Sequence, residues 1–277
     1  MTGLSFAPDL ASLTLEDIPA AVALSRSFDW PHRSEDWALM LRMGQGVKHE
    51  KDGQLLGTAM WWSLGVGITT LGMVIVSKTS QGQGIGRQLI DRVLSTQDGT
   101  TVRLIGTEAG LSLYQKKGFQ KAGLICQYQG IAQAVDAPAS RVHFAGSYVL
   151  PQLQAFDRDM TGLSRDEVLR VLVTASDVAV VTGADGSVVG YALCRRFGHG
   201  RVIGPVVSVD DATAKALLSA FIDRYQGHFM RCDTPSDSAL APWLVKRGLL
   251  KVDEGVSMQR GDFAPSNVFA LASQALG

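Results

Sequence analysis

The feature that most constrains this 277-residue chain is that it repeats itself. Lys51-Asp52-Gly53-Gln54-Leu55-Leu56-Gly57-Thr58-Ala59 reads as a tight turn leading into a strand. Ala184-Asp185-Gly186-Ser187-Val188-Val189-Gly190-Tyr191-Ala192 reads the same way. The offset is 133 residues at the turn aspartates and again at the strand glycines. Asp-Gly between apolar runs is a hairpin signal, because both central positions favour positive φ.

The flanking segments correspond as well. Helical spacing precedes each hairpin, over Thr14–Phe28 and Ser34–Met43 in the first half and Ser164–Val173 in the second. There, Ser164 and Glu167 have the spacing of a capping box. A strand follows each hairpin (Thr69–Val76; Arg201–Ser208), then a helix. Its apolar stripe is Ile85, Leu89, Ile90, Val93 and Leu94 in one copy and Ala214, Leu217, Leu218, Phe221, Ile222 and Tyr225 in the other. A short strand (Thr101–Ile105; His228–Cys232), a helix ending at Gly118 or Gly248, and final strands complete each copy. The expectation is an α/β fold in two copies, each a mixed sheet with helices on both faces. Residues 1–133 are assigned to the first domain, 134–146 to a linker within the Ala-, Gly-, Pro- and Ser-rich stretch Gln129–Gly146, and 147–277 to the second domain. The alternative is one continuous α/β sheet whose internal likeness is accidental. The tail from Gly261 is rich in Ala and Ser; it offers no chemistry and is read as a short helix docked on either half.

Twenty-six basic residues balance twenty-six acidic ones. That disfavours a nucleic-acid binder, which carries a positive excess to replace phosphate counterions. No run reaches the ~20 apolar residues of a membrane-spanning helix, and the longest candidate, Val168–Val181, is broken by Thr174, Ser176 and Asp177. The N-terminal stretch lacks the basic start and apolar core of a secretory signal. Cys126, Cys194 and Cys232 are odd in number and widely spaced. Neither a disulfide framework nor a metal site is expected, and a reducing cytoplasm is the expected compartment. An oligomer is compatible with the sequence, but no residue demands one.

Chemistry concentrates in one segment. An apolar strand ending at Val76 leads to Gln81-Gly82-Gln83-Gly84-Ile85-Gly86-Arg87, with glycine at every second position, and then to an amphipathic helix. Residues without Cβ let backbone N–H groups approach an anion, and a helix N-terminus adds unpaired donors and a positive dipole end. A Rossmann loop would have glycine where Arg87 stands, and the Gly-Lys-Ser/Thr of a P-loop is absent. The bland alternative is a glycine-rich connection with no ligand.

Gln81-x-x-Gly84-x-Gly86, preceded by that strand, resembles motif A of the GCN5-related N-acetyltransferases (GNAT). Ile105-Gly106-Thr107-Glu108-Ala109-Gly110-Leu111-Ser112-Leu113-Tyr114-Gln115-Lys116-Lys117-Gly118-Phe119 resembles their motif B. The resemblance implies two tandem GNAT-like domains, each a mixed, mostly antiparallel sheet flanked by helices, with acetyl-CoA as co-substrate of the first. It implies that Gln81, Gly82, Gln83, Gly84, Ile85, Gly86 and Arg87 wrap the pyrophosphate. The pantetheine arm would pair with Val74, Ile75 and Val76 like an extra strand, bordered by Thr107, Gly110, Leu113 and Tyr114. The thioester is then expected where the Met73–Val76 strand splays from Thr101–Ile105. The N–H of Val76 or a neighbour is the expected oxyanion donor. Tyr114 is the expected general acid for the departing thiolate, with core packing as its alternative. Thr107 stands where the family often has asparagine, seven residues before the tyrosine.

No general base is evident. The segment Phe28–Trp37 gathers Asp29, Trp30, His32, Glu35 and Asp36, where the family's acceptor-side helices and loop lie. Asp29 and Trp30 are acceptor-side candidates and His32 is the candidate base; a capping histidine, a water chain or a backbone carbonyl are the alternatives. Trp61 and Trp62 alternate on a strand and so face opposite ways. Trp61 is an acceptor-side candidate, beside a plain core reading.

In the second half, Val209-Asp210-Asp211-Ala212-Thr213-Ala214-Lys215 replaces the glycine loop, and Leu244 precedes Gly248 as Tyr114 precedes Gly118. Two carboxylates suit a helix N-terminus but repel a pyrophosphate. Asp157–Gly162, Gly190–Leu193, Ile203-Gly204-Pro205 and Cys232–Pro235 resemble the C-terminal domain of tandem family members. Asp157, Arg195, Arg196 and Asp233 are candidates for a shared cleft, with ion pairs or caps as alternatives; Asp233 is also an acceptor-side candidate. This copy is expected to close the acceptor pocket without binding acetyl-CoA. The expected activity is acetyl transfer to a primary amine of a small molecule, by direct attack through a tetrahedral intermediate. The alternatives are a protein lysine or N-terminus as acceptor, a longer acyl chain, and a non-catalytic acyl-CoA sensor.

Overall fold

The computed structural model describes residues 9–133, 141–262 and 267–276. The first half runs β1 (Leu10–Ser12), α1 (Ile18–Arg26), α2 (Ser34–Met43), β2 (Gln45–Lys51), β3 (Gln54–Ser63), β4 (Ile68–Val76), α3 (Ile85–Leu94), β5 (Thr101–Gly106), α4 (Leu111–Lys116) and β6 (Gln120–Ile131). The second half repeats that order with β7 (Val142–Ala145), α5 (Leu150–Thr161), α6 (Asp166–Thr174), β8 (Asp177–Thr182), β9 (Val188–Phe197), β10 (Gly200–Ser208), α7 (Asp211–Arg224), β11 (Phe229–Pro235), α8 (Ala241–Lys246) and β12 (Leu250–Arg260). A last strand, β13 (Val268–Ala270), follows.

All these strands belong to one sheet, ordered β1-β2-β3-β4-β5-β12-β6-β11-β10-β9-β8-β7, with β13 paired to β10. The halves exchange their final long strands. β12 pairs with β5 of the first half (Ser257↔Ile105), and β6 pairs with β11 of the second (Cys126↔Thr234). β6 and β12 pair with each other at the centre. The repeat and the continuous sheet, posed as alternatives, therefore coexist. The sheet is mostly antiparallel; β4–β5 and β10–β11 are parallel. Helices α1, α2, α5 and α6 cover one face over Trp37, Trp62, Leu153, Leu169 and Tyr191. Helices α3 and α4 cover the other face in the first half, and α7 and α8 in the second. The predicted stripe of α3 is buried at Ile85, Leu89, Ile90 and Val93, each contributing roughly 1.5–3 kcal/mol.

Some local expectations change. Asp52 and Gly53 both have positive φ, whereas in the second turn only Gly186 does. There Asp185 accepts the Ser187 N–H and hydroxyl instead. Ser164 does not cap α6; its N–H donates to the Leu64 carbonyl at 3.0 Å and ties the halves together. Of the expected linker, residues 134–140 lie outside the described residues, while Val142–Ala145 form an edge strand on β8. Helix α5 escaped pattern reading because its buried face is Leu153, Asp157 and Thr161, two of them polar. The tail is a strand rather than a helix, and Leu271, Ala272 and Leu276 beyond it are buried.

Candidate active site

Gly84 is the N-cap of α3. Gly82 and Gly84 have φ of 79° and 84°, a region L side chains avoid, and a Cβ on either would meet no atom within 4 Å. The turn needs glycine, and open space lies beside it. Among the described residues, no backbone N–H from Gly82 to Arg87 donates to a main-chain carbonyl, so the first-turn donors of α3 are available to an anion. Gly86 is tighter: its Cβ would lie 3.2 Å from Leu113, so it brings α3 close to α4. Gln81 Nε2 donates to the Val76 carbonyl at 3.3 Å and Gln83 Nε2 to the Thr79 carbonyl at 3.4 Å, holding the loop. Arg87 is exposed.

Behind this loop the sheet opens. β4 pairs with β5 only from Ile68↔Thr101 to Leu71↔Leu104. On its other edge β4 bulges against β3 between Thr58 and Met60. At the bulge Met73 takes φ 52°, and the buried Thr58 hydroxyl donates to its carbonyl at 2.8 Å. Ser77 N–H donates to the Leu56 carbonyl of β3 at 2.8 Å. In an antiparallel ladder alternate residues turn opposite ways, so the N–H of Val76, and that of Val74, turn from β3 toward the gap, with Ile75 directed to β3. Tyr114 flanks the same gap. Added Cβ atoms on Gly106, at the end of β5, and on Gly110 would lie 3.1 and 2.7 Å from its ring. The ring meets Phe119 edge-on at 6.0 Å. Burial pushes the Tyr114 phenol up to about 12, so it stays protonated at neutral pH. Thr107 is exposed.

The second half has the same gap, filled. β10 pairs with β11 only at Arg201↔Met230 and Val202↔Arg231, and it bulges against β9 between Ile203 and Val206. β13 pairs with Val206 and Val207. These are the positions of Val74 and Ile75 when the pair Gly57↔Val76 is laid on Gly190↔Ser208. Leu271 N–H donates to the Asp233 carbonyl, and the Thr234 hydroxyl to the Phe269 carbonyl, both at 2.8 Å. A Cβ on Gly204 would lie 1.8 Å from the Leu271 carbonyl oxygen, so the tail runs directly over that glycine. Asp210 accepts the Thr213 N–H at 2.7 Å, capping α7 with protein, and Leu244 is fully buried.

Models of the acetyltransferase (GNAT) domain match residues 47–121 and 153–269, one in each half. The chain belongs to the GNAT acetyltransferase family. The uncharacterized N-acetyltransferase YitH of Bacillus subtilis (strain 168) is 28% identical, over 97% of this chain and 98% of its own length. A Pyrococcus horikoshii protein, provisionally described as an acetyltransferase, shares the fold with a TM-score of 0.84 at 18% identity, over 100% of this chain and 99% of that one. A tandem GNAT protein from the clavulanic acid biosynthesis pathway shares it with a TM-score of 0.63 at 13% identity, over 92% and 99%. The reaction class of this tandem GNAT protein is therefore acyl transfer.

On the α1/α2 face of the GNAT chain, the loop between those helices spans both halves. Lys78 Nζ lies 5.1 Å from the Phe28 ring. Rings then follow from Phe28 to Trp30 (6.4 Å), to His32 (5.9 Å) and to Phe197 of the second half (5.5 Å). Asp29 is exposed, with φ 61°, where the chain leaves α1. The buried Nδ1 of His32 has no partner among the described residues. Burial holds His32 down at about 4, so it is neutral at neutral pH. Trp61 does not lie on this face: alternation sends it under α3 with Leu89 and Val93. Trp62 faces α1 and α2, its indole donating to the Met40 carbonyl at 3.0 Å. Asp233 is fully buried and takes three hydrogen bonds from the Arg231 guanidinium, at 2.8–3.1 Å. Asp157 accepts both arms of Arg165 and the Tyr191 hydroxyl. These two carboxylates are satisfied inside the protein. Pattern reading missed the Thr58–Met73 bulge, since methionine carries no positive-φ signal.

Proposed function

We propose that the first half of this GNAT protein transfers the acetyl group of acetyl-CoA to a primary amine of a small molecule, with the second half walling the acceptor side. The contrast between two equivalent gaps carries this reading: one is open beside free helix-terminal donors, the other is filled by the chain's own β13. The N–H groups of Gly82–Arg87 bind the diphosphate, and Val74 and Val76 pair with the pantetheine amides. The N–H of Val76 stabilises the oxyanion that forms when the amine attacks. A phenol near 12 is a poor full proton donor to a sulfur whose thiol titrates near ~8.5. Tyr114 therefore acts by donating a hydrogen bond to the leaving sulfur. His32, at about 4, is too weak a base to strip an ammonium of pKa ~10, so the amine enters neutral, and the proton its nitrogen sheds after the attack ends on the departing sulfur as the CoA thiol.

A panel of small amines incubated with protein and acetyl-CoA, read as free thiol, tests the proposal. Thiol release that saturates with particular amines is expected. Tight CoA binding with no release from any amine or lysine peptide would leave a sensor in its place.

A further inference from the structure

A cavity of about 600 Å³ opens between α2 of the first half and β8–β9 of the second, lined among others by Arg33, Asp36, Arg42, Arg195, Arg196 and Arg201. Arg33 is paired with Asp36 at 2.7 Å, and Arg201 with Asp177 at 3.2 Å. Among the described residues, Arg42, Arg195 and Arg196 have no carboxylate within ion-pair distance, and Glu35 is the lining acid left over. Arg42 and Arg196 are exposed. Arg195 is only 2% exposed, and none of its three guanidinium nitrogens has a hydrogen-bond partner among the described residues. It lies over the Phe197 ring at 5.8 Å, which Arg231 also faces at 5.3 Å and His32 at 5.5 Å. The imidazole of His32, whose Nδ1 has no partner among the described residues, therefore adjoins the same ring.

An unpaired buried charge is among the costliest features a fold can carry. Arginine cannot escape by losing its proton: burial lowers Arg195 to about 10 against the longer-range attraction of Asp36 and Asp233, neither of which bonds to it, and this still leaves it charged at neutral pH. The guanidinium fork matches a carboxylate or a phosphate. We infer that this cavity between the halves binds a small carboxylate or phosphate, with Arg195 as its principal ligand and Arg42 and Arg196 at the rim. The ligand is either the acid group of the acceptor, a possibility that rests on the acyl-transfer reading, or a separate anion.

Thermal shift and calorimetry with inorganic phosphate, malonate and its neutral diamide test this without any turnover. Phosphate or malonate should bind the full chain at millimolar concentration and malonamide should not. Arg195→Met should weaken binding roughly tenfold or more and Arg42→Gln a few-fold. Without ligand, Arg195→Met should melt higher than the wild type. No anion binding, equal binding of malonamide, or unchanged affinity in both variants overturns the site. Acceptor kinetics then separate the sources. If the anion is the acceptor's own, Arg195→Met lowers kcat/KM for glycine but not for ethylamine. If it is separate, added malonate changes ethylamine transfer. Absence of turnover with every amine would sink the acyl-transfer reading alone, since the binding arm stands apart.

Discussion

The sharpest test of the cofactor loop is Gly84→Ala. At φ 84° with no atom within 4 Å of the new Cβ, the substitution meets no steric clash and costs only the left-handed conformation, roughly 1–2 kcal/mol. For a chain of this size that is a fall of about 2–8 °C in melting temperature. Ligand binding should suffer more, because the added methyl projects into the space beside the α3 donors. Losing one charge-assisted hydrogen bond costs roughly 1.5–3 kcal/mol, about ten- to hundredfold in affinity. Calorimetry with CoA, 4'-phosphopantetheine and pantetheine, the last two differing by a phosphate alone, separates that term from the contacts of the adenosine. CoA and 4'-phosphopantetheine should bind the wild type more tightly than pantetheine, and Gly84→Ala should erase most of the difference between the last two while leaving pantetheine unchanged. Equal weakening of those two ligands, or a wild type that does not distinguish them, would refute the claim that the loop grips a diphosphate.

Tyr114→Phe keeps the ring against Gly106, Gly110 and Phe119. It should lower kcat roughly tenfold or more with KM for acetyl-CoA and melting temperature unchanged; an unaltered kcat would make the residue a packing group. Gly72→Ala places a Cβ 2.8 Å from that of Ala275 in the tail, an overpacking cost of about 1–3 kcal/mol. Ala275→Gly should recover most of this in urea unfolding if the tail is seated there. His32 titrates near 6.5 when unfolded and about 4 when folded, so its contribution is complete above pH 6.5 and is lost as pH falls toward 4. The loss amounts to about 3 kcal/mol at most. Comparison with His32→Gln isolates it from Asp233, whose carboxyl burial raises; parallel stability profiles for the two proteins would contradict a buried neutral histidine.

Elements with a one-sided apolar stripe or a glycine signature were legible in the sequence. They include α3, α7, the strands of both hairpins, the β4–α3 loop and the loss of that loop in the second half. The register of a 133-residue repeat also paired the two halves correctly. What stayed hidden lacked a local signature. α5 buries Asp157 and Thr161, so its periodicity is masked by polar residues that find partners only in the fold. The bulge at Met73 depends on Thr58 across the ladder, and Trp61 and Trp62 could be assigned opposite faces but not told apart. The strand exchange is invisible for a related reason: β6 and β12 are equivalent strands with similar burial patterns along their length.

That exchange ties the half without a glycine loop to the shape of the gap in the other half. The gap beside Val76 exists because β5 leaves β4 after Leu104, and β5 is held on its far edge by β12, through pairs from Gly106↔Val256 to Arg260↔Val102. The splay that shapes the first site is thus set by a strand of the second half. The symmetric splay between β10 and β11 would expose unpaired backbone groups in the middle of a sheet, and buried polar groups must find partners. In the first half a ligand can supply them; in the second, β13 does so permanently through Val206, Val207 and Asp233. The same tail then reaches Gly72 of β4. Closing one gap with protein therefore also seats the tail on β4 of the other half, so the two copies of one fold share a single closing segment.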